Sequence, residues 1–156
     1  MSDRIHELLN RNLQEVFGEG DAARRRAAIE ELYTDDCVLY VPPGVFVGHD
    51  ALDKFAGDLR ATHPHFAYRP HGEPQALHNA GRLAWGSGPR GEKPDYTGLD
   101  VIIVRGDKIT LCFPRLNAVT TQPSLVENWS SRSARNVHFG LVHARMPSLS
   151  ASTLHT

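Results

Sequence analysis

Apolar side chains recur three and four positions apart in three stretches of the first half of the chain. Over residues 3–17 this spacing predicts a helix with one buried face. A second helix is predicted to follow Asp21, whose carboxylate can cap its first turn. Its apolar positions are Ala28, Ile29, Leu32 and Tyr33. A third is predicted from Gly48–Asp50 to Pro64, where proline ends the helical pattern. The pattern thus predicts three amphipathic helices.

Runs rich in β-branched and aromatic residues predict strands between and after these helices. Two short strands, over 37–41 and 45–47, are separated by the turn Pro42–Gly44. Four more are predicted after the third helix, over about 66–78 (with a bend near its prolines), 82–88, 96–104 and 108–113. The predicted order, with helices first and an antiparallel meander afterwards, is typical of the α+β class.

One carboxylate, Asp100, interrupts the apolar run over 96–104. A buried unpaired carboxylate is costly and responds by raising its pKa, so its presence there needs a reason. An acid or base at the bottom of a hydrophobic cavity is one reason. The other is a position on the outer face of the sheet or at a dimer contact, paired with an arginine.

Period-two alternation places Tyr96 and Asp100 on one face of their strand, with Tyr96 near the mouth of a pocket if that face is concave. Trp85 on the neighbouring strand is a candidate pocket wall, or else an ordinary core residue. His63 follows Leu59 by four residues on the buried stripe of the third helix. It is a candidate proton-carrying partner of Asp100, or a histidine that interacts with the dipole at the helix end.

Composition narrows the class of protein. The chain has 156 residues with 17 basic and 18 acidic side chains, a net charge of −1 that gives no electrostatic case for nucleic acid. No apolar run is long enough for a membrane span, and no signal peptide is evident. Cys37 and Cys112 are expected to be buried, reduced thiols of a cytoplasmic protein. The nine histidines form no recognised metal motif, so we expect no metal and no cofactor.

Three motifs make the chain resemble the SnoaL-like proteins of the nuclear transport factor 2-like superfamily. They are Leu32–Pro42, Gly48–Leu52 and Thr97–Ile109, within a match that covers residues 3 to about 113. The resemblance implies a cone-shaped α+β barrel, in which a curved antiparallel sheet wraps around three helices. It also implies an apolar pocket and a homodimer.

The resemblance also suggests which chemistry to expect. Ketosteroid isomerases of the superfamily use an aspartate beside a proline and a tyrosine, where this chain has Val41 before Pro42 and Leu13. Epoxide hydrolases use two aspartates and an arginine. Here Arg82 is a candidate to approach Asp100, but no second inward carboxylate is evident. SnoaL-like cyclases use one aspartate on the penultimate strand, and Asp100 occupies the matching position.

The chain changes character after Phe113–Pro114, where proline is expected to interrupt the last strand. Residues 118–156 are rich in serine and lack sustained periodicity. We therefore predict a SnoaL-like domain over 1–117 and an atypical, loosely packed tail over 118–156.

The sequence as a whole predicts a domain that binds a hydrophobic small molecule. If it is an enzyme, it is a cofactor-free isomerase, cyclase or lyase acting on a carbonyl compound, with Asp100 as acid or base. Trp85, Tyr96, His63 and Val41 are then the candidate substrate-binding residues. The alternative is a non-catalytic ligand-binding or dimerisation module.

Overall fold

The computed structural model describes residues 2–118, and the predicted tail lies outside them apart from its first residue. Helical segments come first in the chain, and a later helix, α3, separates two strands from the five that follow. The elements are α1 (Ser2–Arg11), a π-helical segment (Asn12–Phe17), α2 (Ala22–Leu32), β1 (Tyr33–Val41), β2 (Gly44–Val47), α3 (His49–Thr62), β3 (Phe66–Pro70), β4 (Gln75–Leu77), β5 (Ala80–Pro89), β6 (Tyr96–Arg105) and β7 (Lys108–Ala118).

The helices form where the apolar spacing predicts them. The Asp21 carboxylate accepts a hydrogen bond of 2.9 Å from the backbone N–H of Arg24, which confirms the predicted cap of α2. The predicted first helix is continuous through Phe17, but its last six residues are π-helical. The wider turn closes with a hydrogen bond from the N–H of Gly18 to the carbonyl of Leu13, five residues back.

The strands form one curved, unclosed sheet, which confirms the α+β class and the wrapped-sheet architecture. Its order is β2-β1-β7-β6-β5-β3, with β4 paired to β5. One pair departs from the expected antiparallel sheet, because β1 runs parallel to β7. These two strands are far apart in sequence, so no hairpin fixes their relative direction.

Two predicted strands end differently from expectation. The strand predicted over 66–78 is divided into β3 and β4, which both pair with β5, and the break falls where prolines predicted a bend. The interruption predicted at Pro114 is wrong, because β7 continues to Ala118 and Pro114 pairs with Asp100. Pairing of β7 with β1 ends at Cys112, so the missing N–H of Pro114 leaves no bond to β1 unmade.

The core lies between the helices and the inner face of the sheet. Its fully buried large side chains come from both layers: Ile5, Leu8, Leu9, Leu13, Ile29, Leu32, Tyr33, Leu39, Leu52, Leu83, Ile102 and Ile109. Cys37 and Cys112 are buried free thiols, as expected from the sequence. Among the helices that the structure describes, none is long and apolar enough to cross a membrane.

Candidate active site

A cavity of about 100 Å³ opens between the π-helical segment, α3 and the inner face of the sheet. Its walls are mainly aromatic and aliphatic, with Phe17, Val41, Phe55, Leu59, Phe66 and Pro114 among them. The polar side chains that reach it are Arg60, Thr62, His63, Tyr68, Ser87, Tyr96 and Asp100. An apolar cavity with a few polar groups is the usual form of a small-molecule site.

Asp100 is the carboxylate of this cavity and is only 1% exposed. Its Oδ1 accepts a hydrogen bond of 2.7 Å from Nε1 of Trp85, and its Oδ2 accepts one of 3.2 Å from Nδ2 of Asn12. Burial raises the pKa of Asp100 from 3.8 to about 6, and the two N–H donors oppose that rise. The side chain is therefore mostly ionised at neutral pH and can still be protonated under mildly acidic conditions.

A second hydrogen bond fixes the orientation of Asn12. The hydroxyl of Tyr33 donates to Oδ1 of Asn12 at 2.5 Å, which leaves the Nδ2 group directed at Asp100. Burial raises the pKa of Tyr33 well above its ordinary value, so this hydroxyl remains a donor at neutral pH. Asn12 and Tyr33 are both fully buried and thus form a fixed support behind the carboxylate.

Trp85 reaches Asp100 because the residue opposite it has no side chain. Trp85 pairs with Gly98 across β5 and β6, and a Cβ placed on Gly98 would lie 2.2 Å from the indole ring. The indole therefore lies across the backbone of β6, with its N–H directed at Asp100. Its other neighbour is Tyr68, whose ring centroid is 5.4 Å away.

The polar aromatic groups of the cavity are neutral at physiological pH. Burial raises the pKa of Tyr68 to about 12, although the hydroxyl of Ser87, its cross-strand partner, acts in the opposite direction. Burial also raises the pKa of Tyr96. Burial first and His65 second lower the pKa of His63, so its imidazole is uncharged near neutral pH. Among the described residues that line the cavity, Asp100 is the carboxyl group, and its pKa is about 6.

All five residues predicted from the sequence line this one cavity: Asp100, Trp85, Tyr96, His63 and Val41. Among the described residues no hydrogen bond joins His63 to Asp100, so a direct proton-carrying pair does not form. His63 is the residue that caps the C-terminus of α3, the position that the helix-end interpretation predicts, and burial lowers its pKa there. The expectation that Arg82 approaches Asp100 is wrong. Arg82 is exposed and donates to Gln75 at 2.7 Å.

Sequence reasoning missed the support behind Asp100 and part of the wall. Asn12 falls on the apolar stripe of the first helix, three residues after Leu9, and a polar residue on a buried stripe was the available signal. Tyr33 was assigned to the buried face of the second helix but is the first residue of β1. Tyr68 and Ser87 gave no comparable signal. Among residues 2–118, no three His, Cys, Asp or Glu side chains lie close enough together to hold a metal ion.

Comparisons with known proteins identify a family for this chain. A family model described as the SnoaL-like domain matches residues 11–112. A comparison with curated proteins finds no match.

Similar solved structures share the fold. A candidate isomerase of the SnoaL-like family from Agrobacterium tumefaciens is 17% identical, with a TM-score of 0.68, covering 74% of this chain and 99% of that one. A candidate polyketide cyclase from Sinorhizobium meliloti is 13% identical, with a TM-score of 0.56 and the same two coverages. A candidate ketosteroid isomerase from Kribbella flavida is 11% identical, with a TM-score of 0.59, covering 94% and 93%. At these identities the likeness concerns the fold alone.

Proposed function

The chain belongs to the family of SnoaL-like domains, and on that premise we propose that its cavity binds a small hydrophobic carbonyl compound on which Asp100 acts as general base and acid. One observation carries the proposal: a buried carboxylate with a pKa of about 6 lies in the wall of an apolar cavity. Perturbed carboxylates of this kind cluster at functional sites. The reaction class is cofactor-free isomerisation, cyclisation or elimination.

The reaction begins with transfer of a proton from carbon to oxygen. Ionised Asp100 takes the proton from the carbon next to the substrate carbonyl, and the electron pair of that C–H bond moves into an enolate. The protonated carboxyl then gives its proton to another carbon of the enolate in isomerisation. In ring closure the enolate carbon attacks a second carbonyl and the proton goes to the resulting alkoxide oxygen, and in elimination it goes to the leaving group. A pKa near neutrality suits both steps, because the group can be a base in one and an acid in the other. No electrons are exchanged with a cofactor.

We assign the predicted wall residues to substrate binding. Trp85 and Val41 offer apolar surface in the cavity that Asp100 lines, while the rings of Tyr96 and His63 lie in its wall with centroids 5.8 Å apart. Trp85 and Asn12 hold the carboxylate by one hydrogen bond to each oxygen. Each oxygen of an ionised carboxylate has a second lone pair, so both can still accept a proton or hydrogen bond.

Proton exchange in a simple ketone tests the catalytic role without knowledge of the natural substrate. We expect the protein to accelerate exchange of the methyl protons of acetophenone in D₂O, followed by NMR, relative to the same concentration of Asp100→Asn protein. A general base of this kind contributes on the order of 10²–10⁴ in rate. Asp58→Asn, which alters an exposed carboxylate of α3, is the matched control and should retain full activity. Equal rates for wild type and Asp100→Asn, with circular dichroism showing both folded, would exclude Asp100 as the base.

The alternative proposal is a binding module without catalysis. It is supported by Val41, which stands where the isomerases of the superfamily place a second acid–base residue, and by Asp100 being the one carboxylate among the described residues that line the cavity. Such a module would bind acetophenone without accelerating its exchange. It would also give Asp100 a measured pKa near the ordinary value of about 3.9.

We further propose that two copies associate through the outer face of the sheet. Four large apolar side chains on that face are 40–61% exposed: Tyr40, Val45, Val47 and Phe113. They lie on β1, β2 and β7, which are adjacent strands, so they form one patch that a second copy could cover. Wild type should sediment as a dimer and the double variant Val47→Glu, Phe113→Glu as a monomer. A monomeric wild type would contradict the proposal.

We propose the cytoplasm as the compartment. Two buried cysteines that remain unpaired fit a reducing environment. With a net charge of −1 the chain has no basic excess, so neither nucleic acid nor a membrane surface is proposed as a partner. Fractionation of cells that express the natural protein tests the location.

A further inference from the structure

Thr62 and His63, at the end of α3, form a pair whose hydrogen bonds determine which nitrogen of the imidazole carries the proton. The hydroxyl oxygen of Thr62 lies 2.6 Å from the carbonyl oxygen of Leu59 and 2.9 Å from Nδ1 of His63. A hydroxyl has one hydrogen, and a carbonyl oxygen can only accept. Two oxygens that close would repel each other without a hydrogen between them, so Thr62 donates to Leu59.

It follows that Nδ1 of His63 is the donor to Thr62. The second nitrogen, Nε2, then carries a lone pair and can only accept a hydrogen bond while the ring is neutral. Among the described residues no group donates to Nε2, and it is not one of the buried polar atoms without a partner, so it remains accessible. Since burial lowers the pKa of His63, the ring is neutral at physiological pH.

The ring is held where a ligand can reach it. His63 is one of the residues that line the cavity. It packs against Phe66, with centroids 4.3 Å apart, and edge-on to Tyr96 at 5.8 Å. These contacts fix the plane of the imidazole, and the hydrogen bond to Thr62 fixes its rotation within that plane.

Other polar groups of the cavity differ from Nε2 in what they can do. The hydroxyls of Tyr68, Tyr96 and Ser87 can both donate and accept, and Arg60 can only donate. Asp100 can also only accept when it is ionised, but each of its oxygens already takes one hydrogen bond and keeps only its second lone pair for a ligand. Nε2 of His63 is therefore the acceptor-only group of the cavity without a partner in residues 2–118.

We infer that the cavity selects a ligand bearing a hydroxyl group, which donates its hydrogen to Nε2 of His63. The inference rests on the proposed function, because it adds a second polar group to the carbonyl compound on which Asp100 acts. The substrate class is then a small hydroxylated carbonyl compound, such as a phenolic or enolic ketone, rather than a plain hydrocarbon ketone.

Two ligands of the same shape test this selection. The chain has two tryptophans, so a Trp129→Phe background leaves Trp85 as the fluorescent reporter in the cavity wall. In that background we compare 4-methylphenol with 1,4-dimethylbenzene, which replaces the hydroxyl by a methyl group. His63→Phe keeps an aromatic ring but removes the acceptor. His65→Phe is the matched control, since His65 contacts Phe66 from outside the group of cavity residues.

We define the preference as the ratio of the affinities for the phenol and the hydrocarbon. It should fall about 3- to 10-fold in His63→Phe, which corresponds to the loss of one neutral hydrogen bond. It should be unchanged in His65→Phe. An unchanged preference in His63→Phe would overturn the inference. If both ligands still bound, the proposed ligand-binding cavity would nevertheless stand. A preference lost in Asp100→Asn but kept in His63→Phe would also overturn it, by assigning the hydroxyl to Asp100. Failure of both ligands to bind wild type would reject the proposed binding function itself.

The tautomer can be measured without any ligand. Long-range ¹H–¹⁵N NMR of the imidazole should show the proton of His63 on Nδ1, and Thr62→Val, which has the same shape but no acceptor, should move population toward the Nε2–H form. A wild-type ring protonated on Nε2 would overturn the inference.

Discussion

At the scale of single residues, the site depends on a balance at Asp100. Burial raises its pKa, while the N–H groups of Trp85 and Asn12 lower it, and the result is a carboxyl that titrates at about 6. Burial alone would raise the pKa of Asp100 further, and stronger donors would lower it and make the carboxylate a weaker base. The two hydrogen bonds therefore set the pH range in which the proposed chemistry can operate.

Removing one donor should shift this balance in a known direction. Asn12→Ala deletes a hydrogen bond that stabilises the charged form of Asp100, so the pKa of Asp100 should rise, as observed by NMR titration of its carboxyl carbon. Asn10→Ala is the matched control, because it removes a nearby asparagine of α1 whose Nδ2 donates to the carbonyl of His6 and not to Asp100. A pKa of Asp100 that stays the same or falls in Asn12→Ala would contradict the assigned role of that hydrogen bond.

Asp100 should also make folding less favourable as the pH rises. Between the unfolded pKa of about 3.9 and the folded pKa of about 6, the folded state binds more protons than the unfolded state. The free energy of unfolding therefore falls as the pH rises through this window. The free energy of unfolding of Asp100→Asn should therefore rise relative to that of wild type by about 3 kcal/mol between about pH 4 and pH 7.

Denaturant unfolding across that pH range measures the difference. Gln14→Ala, which removes an exposed side chain that carries no titratable group, should show a nearly constant difference from wild type over the same range. If the unfolding free energy of Asp100→Asn also differed from that of wild type by a constant amount, burial would not raise the pKa of Asp100.

The sequence could identify Asp100 but not its supports. A single carboxylate within an apolar strand is visible from neighbours in the chain. Asn12, in contrast, is 88 residues away and meets Asp100 only when the first helix packs on the sheet. Its Oδ1 is bound by Tyr33, which starts a strand rather than continuing the helix predicted for it. Contacts of this kind follow from tertiary packing, which single-sequence patterns do not specify.

At the scale of elements, the π-helical segment over Asn12–Phe17 supplies one of the two hydrogen-bond donors to Asp100 and part of the cavity wall. Asn12 is the first residue of this segment and Phe17 is the last. Gly18 follows it and closes the wide turn. The apolar spacing predicted a helix here but could not distinguish α from π, because both bury the same stripe. Local widening of a helix is frequent at functional sites.

Gly18 should be required for this turn. A Cβ on Gly18 would lie 2.8 Å from the carbonyl oxygen of Gln14 and 3.0 Å from that of Leu13, which are backbone atoms that cannot rotate away. Gly18→Ala should therefore lower the free energy of unfolding by about 1–3 kcal/mol. Gly20→Ala is the matched control, since its nearest neighbour would be Arg60 at 3.8 Å. Equal stability of the two variants, measured by urea unfolding, would contradict this account.

At the scale of the whole molecule, the sequence predicted the layers but not all of the sheet. The order of helices and strands was sufficient for the α+β class and for a cavity between the layers. The parallel pairing of β1 with β7 joins distant segments, so no local pattern could indicate it. Pro114 was misjudged for the same reason: whether a proline breaks a strand depends on whether a neighbouring strand needs its N–H, and β1 has already ended its pairing at Cys112.

Because β7 continues past Pro114, the domain should need the chain as far as Ala118 and not beyond. Residues 113–118 make six cross-strand pairs with β6, from Val101 to Tyr96, and Pro114 also lines the cavity. A chain truncated after Cys112 should lose roughly 1–6 kcal/mol of stability, at about 0.2–1 kcal/mol for each pair, and should no longer bind small ligands.

A chain truncated after Thr121 should unfold like the full-length protein and keep its affinity for 4-methylphenol. Limited proteolysis should accordingly leave a core that ends between Ala118 and Thr121. A truncation after Thr121 that unfolds at markedly lower denaturant would show that residues beyond this point complete the domain.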